Sequence, residues 1–177
     1  MRAPAAHLST LRLSLTPLTP KDEAFVVDLL STPQVRQYLG GPVPAAQRVP
    51  RFQTYLKPPS GIGIWAIRQA ELPEAIGLVF LAPHHNDIDW EVSYNLDPDH
   101  WKNGFATEAV GEVIAHALNA LELPRVVAET QVANTASCRL LSRLGLREIE
   151  QLERFGARQA IYATPRKGAV RPDTDFH

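Results

Sequence analysis

Residues Tyr94 to Ala109 constrain this chain more than any other stretch. An alternating strand runs into a short polar turn containing Gly104, and a strong amphipathic helix begins directly behind it. A strand that feeds a glycine turn into a helix start aims unpaired backbone N–H groups, and the positive end of the helix dipole, at one point in space. Such a point suits a phosphate. Taken alone, the same pattern also fits an ordinary strand-to-helix turn with Gly104 near the N-cap.

A chain of 177 residues that is 45% hydrophobic carries enough apolar material for one well-buried domain, because chains of this size bury roughly 70% of their unfolded surface. One domain over 1–177 is expected, with a core at 11–164 and a loose polar tail at 165–177. The formal charge of −1 argues against a large cationic footprint for nucleic acid, although local basic patches remain open. Cys138 is the only cysteine. It excludes an internal disulfide and a cysteine zinc cage, and a reducing compartment is the simplest reading. No apolar run approaches the roughly 20 residues that span a bilayer, and the opening Met1–His7 lacks the apolar centre of a secretory signal. A soluble cytoplasmic protein is therefore expected, with neither membrane nor nucleic acid as a partner.

Strand and helix patterns alternate along the chain without repeats. Leu11 to Leu15 reads as a first strand; Thr19 as N-cap, Pro20 at the first helical position and Asp22 then open a helix to near Leu30. A shorter helix is expected from Pro33 to Tyr38, and one between Ala45 and Leu56 interrupted by Pro50. Three strands follow at Gly63–Gln69, Ala75–Ala82 and Ile88–Leu96, spaced for antiparallel hairpins. The third alternates cleanly: Ile88, Trp90, Val92, Tyr94 and Leu96 share one face, while Asp89, Glu91, Ser93 and Asn95 share the other. A helix from Gly104 to Leu121 is predicted next, then a buried strand from Val126 to Val132. Asn134 caps a further helix that Gly145 stops. Leu146–Glu153 and Gln159–Thr164 close the chain as paired strands.

The run from Glu91 to Ala109, followed by Val126–Thr130, by Asn134 and Ser137, and by Leu144, Gly145 and Leu146, resembles the GNAT superfamily of N-acetyltransferases. More narrowly, it resembles the branch that acetylates ribosomal-protein N-termini. The likeness extends from Leu11 to Thr164, with several spaced elements in the right order. It implies an α/β (α+β) GNAT fold: a mixed, mostly antiparallel central sheet of about six to seven strands, helices on both faces, and a split between the fourth and fifth strands. It also implies acetyl-CoA as cosubstrate and a primary amine as acceptor. Dimers are common in that branch, so a homodimer is compatible with the resemblance.

The family's cofactor signature, Q/R-x-x-G-x-G/A, is matched by Trp101, Lys102, Asn103, Gly104, Phe105 and Ala106 from Gly104 onward. The resemblance implies that backbone N–H groups from Lys102 to Thr107 hold the pyrophosphate, with Leu96, Trp101, Asn134 and Ser137 also bordering the cofactor. Trp101 stands at the polar first position, as is common in this branch. Lys102 replaces a usual glycine and Asn103 a frequent basic residue. If that backbone position needs a positive φ, Lys102 is strained by about 1 kcal/mol. Its ammonium could offset the strain by pairing with a phosphate.

Amide formation from a thioester needs a base for the acceptor ammonium, a donor for the thioester oxygen and an acid for the thiolate. Glu91 is the leading base candidate, because a central strand cannot bury its acidic face against a helix and a water-filled cleft resolves the conflict. The competing reading is an edge strand with a solvated face; Asp89 and His100 are lesser alternatives. Ser137 is the candidate acid, since the resemblance places it near the cofactor sulfur. A first-turn serine bonded to local backbone is its plain alternative. Tyr162 is a further acid candidate.

His84, His85 and Asp87 imitate a metal-site pattern, but adjacent loop histidines usually point apart, and no metal site is expected. Cys138 reads as a structural thiol. Glu108, Glu112 and His116 read as a solvated helix face. Trp65, Trp90 and Trp101 read as core or cleft-wall aromatics. The acceptor is a protein N-terminus or a small amine, with residues 33–60 bordering its site. A non-catalytic acyl-CoA-binding sensor is the alternative.

Overall fold

The computed structural model describes residues 7–166; the expected loose tail from Lys167 lies outside them. Strands β1 (Leu8–Ser9) and β2 (Leu13–Thr16) precede helices α1 (Glu23–Ser31), α2 (Pro33–Arg36) and α3 (Ala45–Leu56). Strands β3 (Gly63–Gln69), β4 (Ala75–Pro83) and β5 (Trp90–Leu96) lead into α4 (Phe105–Asn119). The chain continues through β6 (Val126–Gln131), α5 (Thr135–Arg143), β7 (Arg147–Arg154) and β8 (Ala157–Ala163). Among the described residues no helix is long and apolar enough to cross a membrane.

The strands form one eight-stranded sheet in the order β1-β2-β3-β4-β5-β6-β8-β7, where six or seven strands are expected. The addition is β1, whose two residues are too few to leave a period in the sequence. All neighbours run antiparallel except β5 and β6, whose parallel register holds two pairs, Trp90 with Val126 and Glu91 with Val127.

Alternate residues along the central strands face two separate cores, as a period of two requires. Trp65, Val79, Leu81 and Val92 pack with Val110 and Val113 of α4 and Leu141 of α5. Ala66 and Leu78, one position out of step, pack on the opposite face with Val26 and Leu29 of α1 and Phe52 of α3. Burying one such aliphatic side chain contributes about 1.5–3 kcal/mol.

Several boundaries differ from expectation for identifiable reasons. Helix α3 runs through Pro50 without a break. The missing N–H forfeits one helical bond, but buried Phe52 and the edge-on contact of Tyr55 with Phe80 anchor the following turn. The strand expected from Leu11 is β2, which starts at Leu13, and Leu11 is exposed. Helix α1 is preceded by a 3-10 turn at Pro20–Asp22, where the Asp22 carboxylate accepts from the Thr19 N–H at 2.7 Å. The short helix α2 ends at Arg36 rather than Tyr38. Strand β5 begins at Trp90 because the Asn86 side chain captures the N–H groups of Ile88 and Asp89 at 3.1 and 3.0 Å, which leaves Ile88 71% exposed. Gly145 does stop α5, with φ +81° and its N–H on the Ser142 carbonyl.

Candidate active site

The turn after β5 is assembled by local polar contacts. Asp97 caps a 3-10 turn at Pro98–His100 by accepting from the Asp99 N–H, and the Trp101 N–H closes on the Pro98 carbonyl at 3.1 Å. The Trp101 indole N–H donates to the Leu96 carbonyl at 2.8 Å, folding the turn back on its own strand. Lys102 follows at φ +64° and Gly104 at φ +79°. Lysine thus occupies a left-handed position that glycine fills without cost. The first backbone bond of α4 runs from the Glu108 N–H to the Gly104 carbonyl at 3.0 Å. The N–H groups of Phe105, Ala106 and Thr107 therefore have no helical carbonyl partner, as at any helix start.

Arg12, from the segment between β1 and β2, braces this turn from outside. Its guanidinium donates to the Asn103 carbonyl at 3.0 Å, pairs with Glu108 at 2.7 Å, and lies 4.8 Å over the Phe105 ring. A methyl group added at Gly104 would come within 3.4 Å of Arg12 Nη2. Glu108 is thus tied down by Arg12 and Thr10, where a freely solvated helix face is expected. His116 likewise meets the Trp65 ring edge-on at 6.3 Å. Sequence reasoning missed Arg12, because nothing in the spacing relates it to a turn ninety residues later.

Glu91 alternates with Val92, which faces α4 and α5, so its carboxylate lies on the face of α1 and α3. Burial raises its pKa; the neighbouring His84 opposes the shift, while the charge of Glu129 on β6 reinforces it. Glu129 was not singled out by the sequence. It sits in the second half of β6, which reads as an apolar buried strand, and only the register with β5 brings it to Glu91. Its Oε2 receives His84 Nε2 at 3.3 Å, His85 Nδ1 at 3.4 Å and Arg154 Nη1 at 3.2 Å. The two histidine rings lie 3.9 Å apart, centroid to centroid. They converge, against the expectation that they point apart, with their planes tilted 55° to one another on a tight turn closed by the Asp87 N–H on the His84 carbonyl. Asp87 is not part of the group; Glu129 is.

Ser137 stands in the first turn of α5, where Asn134 caps the helix by accepting the Ser137 N–H at 3.2 Å. Its hydroxyl oxygen accepts from the Tyr94 hydroxyl at 2.9 Å. Burial raises the Tyr94 pKa, and the bond to Ser137 opposes that rise. Tyr94 was expected only as an apolar-face residue. Tyr162 lies in the same core as Tyr94, beside Cys138 of α5: its hydroxyl donates to Glu148 Oε2 at 3.5 Å, and burial first, with Cys138 and Glu148 adding, pushes its pKa up to about 12. Cys138 is partly buried, its sulfur 4.0 Å from the Gln131 and Val132 carbonyls.

Asp89 does not belong to the polar face of β5. It is 3% exposed and forked onto Arg125, Oδ1 at 2.8 Å and Oδ2 at 2.5 Å. That bond lowers its pKa against the opposing effect of burial, so it is a buttress at the start of the strand rather than a base. His100 belongs to the turn, and its buried Nδ1 has no partner among the described residues.

The mixed sheet with helices on both faces, and the glycine turn that opens α4, share the architecture of GNAT-fold acetyltransferases. The chain belongs to the GNAT acetyltransferase family: the family's Acetyltransferase (GNAT) domain matches residues 12–147. It is 30% identical over 156 residues to the uncharacterised N-acetyltransferase YoaA of Bacillus subtilis, covering 84% of this chain and 86% of that protein. Its fold is similar to that of a GNAT-family acetyltransferase from Bacillus anthracis, with TM-score 0.78 at 18% identity over 90% of this chain and 98% of that one. It also resembles a spermidine N-acetyltransferase from Vibrio cholerae solved with CoA and spermine, with TM-score 0.73 at 20% identity over 87% of this chain and 94% of that one. GNAT acetyltransferases use acetyl-CoA, and this chain is an acetyl-CoA-dependent N-acetyltransferase.

Proposed function

We propose that the enzyme transfers the acetyl group by direct attack of a primary amine on acetyl-CoA within a ternary complex. The observation that carries this reading is the placement of Glu91 and Ser137 on opposite faces of the sheet beside the two-pair β5–β6 ladder. Such a short ladder favours strands that part beyond Glu91 and Val127, leaving room for a thioester between them. The amides from Lys102 to Thr107 hold the pyrophosphate, with the helix dipole of α4 behind them. Lys102 and Asn103 line the same turn, Leu96 and Trp101 lead into it, and Asn134 lies at the α5 end of the cofactor.

In this mechanism Glu91, through a water, accepts the proton of the acceptor ammonium. The free amine attacks the thioester carbonyl carbon, and backbone N–H groups of β5 and β6 stabilise the oxyanion. As the carbon–sulfur bond breaks, the Ser137 hydroxyl gives its proton to the thiolate and is reprotonated through water by the proton that the acylated nitrogen loses. Tyr94 donates to the Ser137 oxygen, so the serine's own proton is directed away from Tyr94 and is free to serve the sulfur. The amine acceptor, a peptide or protein N-terminus or a small amine, approaches from the side of α1 and α3, bordered by 33–60.

The decisive experiment measures thiol release across a panel of peptide N-termini and small amines, together with acetyl-CoA binding. Glu91→Gln is expected to keep acetyl-CoA affinity and lose turnover by about 10²–10⁴-fold. An unimpaired rate removes Glu91 from the mechanism.

A further inference from the structure

Three nitrogen and oxygen donors meet at the end of the β4–β5 hairpin without any role in the transfer just described. The ligand-capable atoms of His84, His85 and Glu129 all lie within 4.8 Å of one another. His84 Nε2 is 3.3 Å and His85 Nδ1 is 3.4 Å from Glu129 Oε2. These are long for N–H···O bonds, whose usual length is about 2.9–3.0 Å. They match the separation of neighbouring donors around a tetrahedral ion, about 3.4 Å for metal–ligand bonds of 2.0–2.1 Å.

A second observation points the same way. His84 is only 2% exposed, yet its Nδ1 has no partner among the described residues, and the same holds for Glu129 Oε1. Buried polar atoms are normally satisfied, so the His84 ring and the Glu129 carboxylate each keep capacity beyond the contact already made by Nε2 and Oε2. The scaffold is also pre-set. The His84 N–H donates to the Asp89 carbonyl at 2.8 Å, the Asp87 N–H to the His84 carbonyl at 3.0 Å, and the Asn86 amide to Asp89 Oδ2 at 2.9 Å. Asp89 is in turn forked onto Arg125. The histidine turn is thereby fixed against β6 before any ligand arrives, which lowers the cost of binding. Arg154 Nη1 lies on Glu129 Oε2 at 3.2 Å. It leaves Oε1 open.

We infer that His84, His85 and Glu129 form a binding site for a divalent transition-metal ion of the zinc or cobalt type, beside the carboxylate of Glu91. Two imidazoles and one carboxylate suit such ions rather than magnesium or calcium, which take oxygen ligands. With three protein donors, a fourth position stays open to water.

The test uses the full chain, purified without a histidine tag and treated with a chelator. Zinc chloride is titrated calorimetrically and cobalt chloride by visible absorption, where a four-coordinate cobalt ion gives an intense d–d band. One equivalent of each metal is expected to bind, and His85→Ala and Glu129→Gln are each expected to weaken binding at least about tenfold. Cys138→Ser is expected to bind as the parent does, which separates this site from the lone thiol. His85 is partly exposed and Glu129→Gln is isosteric, so both variants retain the fold; matching circular dichroism and thermal unfolding check this. Absence of a one-to-one complex in the parent chain, or parent-like affinity in either variant, overturns the site. The binding readout is independent of turnover, so it stands whether or not Glu91 proves to be the base.

Discussion

The Tyr94 hydroxyl donates to Ser137 Oγ at 2.9 Å, joining the central strand β5 to the first turn of α5. Ser137→Ala is expected to slow thiol release by about 10²-fold or more, the usual contribution of a positioned acid. Tyr94→Phe removes only the bond that orients the serine. One such bond contributes about 1 kcal/mol, so a loss of roughly fivefold to tenfold in kcat is expected with little change in KM for acetyl-CoA. Steady-state kinetics of the two variants and the double variant measure the coupling; strictly additive effects would show that Tyr94 does not act through Ser137.

Lys102 at φ +64° yields a test with two opposed signs. Lys102→Gly relieves a left-handed lysine and is expected to stabilise the free enzyme by about 1 kcal/mol. The same change removes an ammonium from the phosphate turn and should raise KM for acetyl-CoA. Thermal unfolding without cofactor and the KM of the variant decide the matter. An unchanged KM would mean that the lysine contributes nothing to the cofactor grip.

The Asp89–Arg125 pair makes the protein acid-sensitive. Arg125 holds the Asp89 carboxyl below its unfolded pKa, so the folded state binds this proton more weakly than the unfolded chain does. The resulting stability is complete above the ordinary carboxylate range and drains away as pH falls toward the depressed folded value. Asp89→Asn leaves a half-buried guanidinium without its counter-charge and is expected to cost about 1.5–3 kcal/mol near neutral pH. The variant should lose less stability than the parent on acidification. Urea unfolding at a series of pH values reads both effects.

Gly77 on β4 allows the closest approach to β5. A Cβ there would lie 2.5 Å from the Asn95 carbonyl oxygen and 2.8 Å from Leu96 Cδ1. The first contact is backbone and cannot swing aside, so Gly77→Ala is expected to destabilise by about 1–3 kcal/mol. Denaturant midpoints measure it, and a parent-like midpoint would show that the strands can separate without penalty.

The strongly patterned parts of the chain were legible in advance. The two-residue period of β5, the stripe of α4, the Asn134 cap and the Gly145 stop are local signals, and each leaves its mark within a few residues. The pieces that escaped depend on distance. Arg12 reaches the turn, Glu129 reaches Glu91, and Arg125 reaches Asp89 only after the sheet has set its register. Helix α3 keeps its course through Pro50 because Phe52 and Tyr55 find partners in α1 and β4 that local propensity cannot foresee. The clustering of His84 with His85 was hidden for a similar reason: whether adjacent rings converge is decided by the turn conformation, not by residue order.

Glu91 and the Tyr94–Ser137 pair stand on opposite sides of one sheet. On the proposed reading, acceptor and cofactor reach the reacting carbon through separate doors, and neither blocks the other's route. The enzyme can then load in either order. Desulfo-CoA, a dead-end analogue, should compete with acetyl-CoA yet leave acceptor binding intact, and the free thiol can depart while the acetylated product is still held.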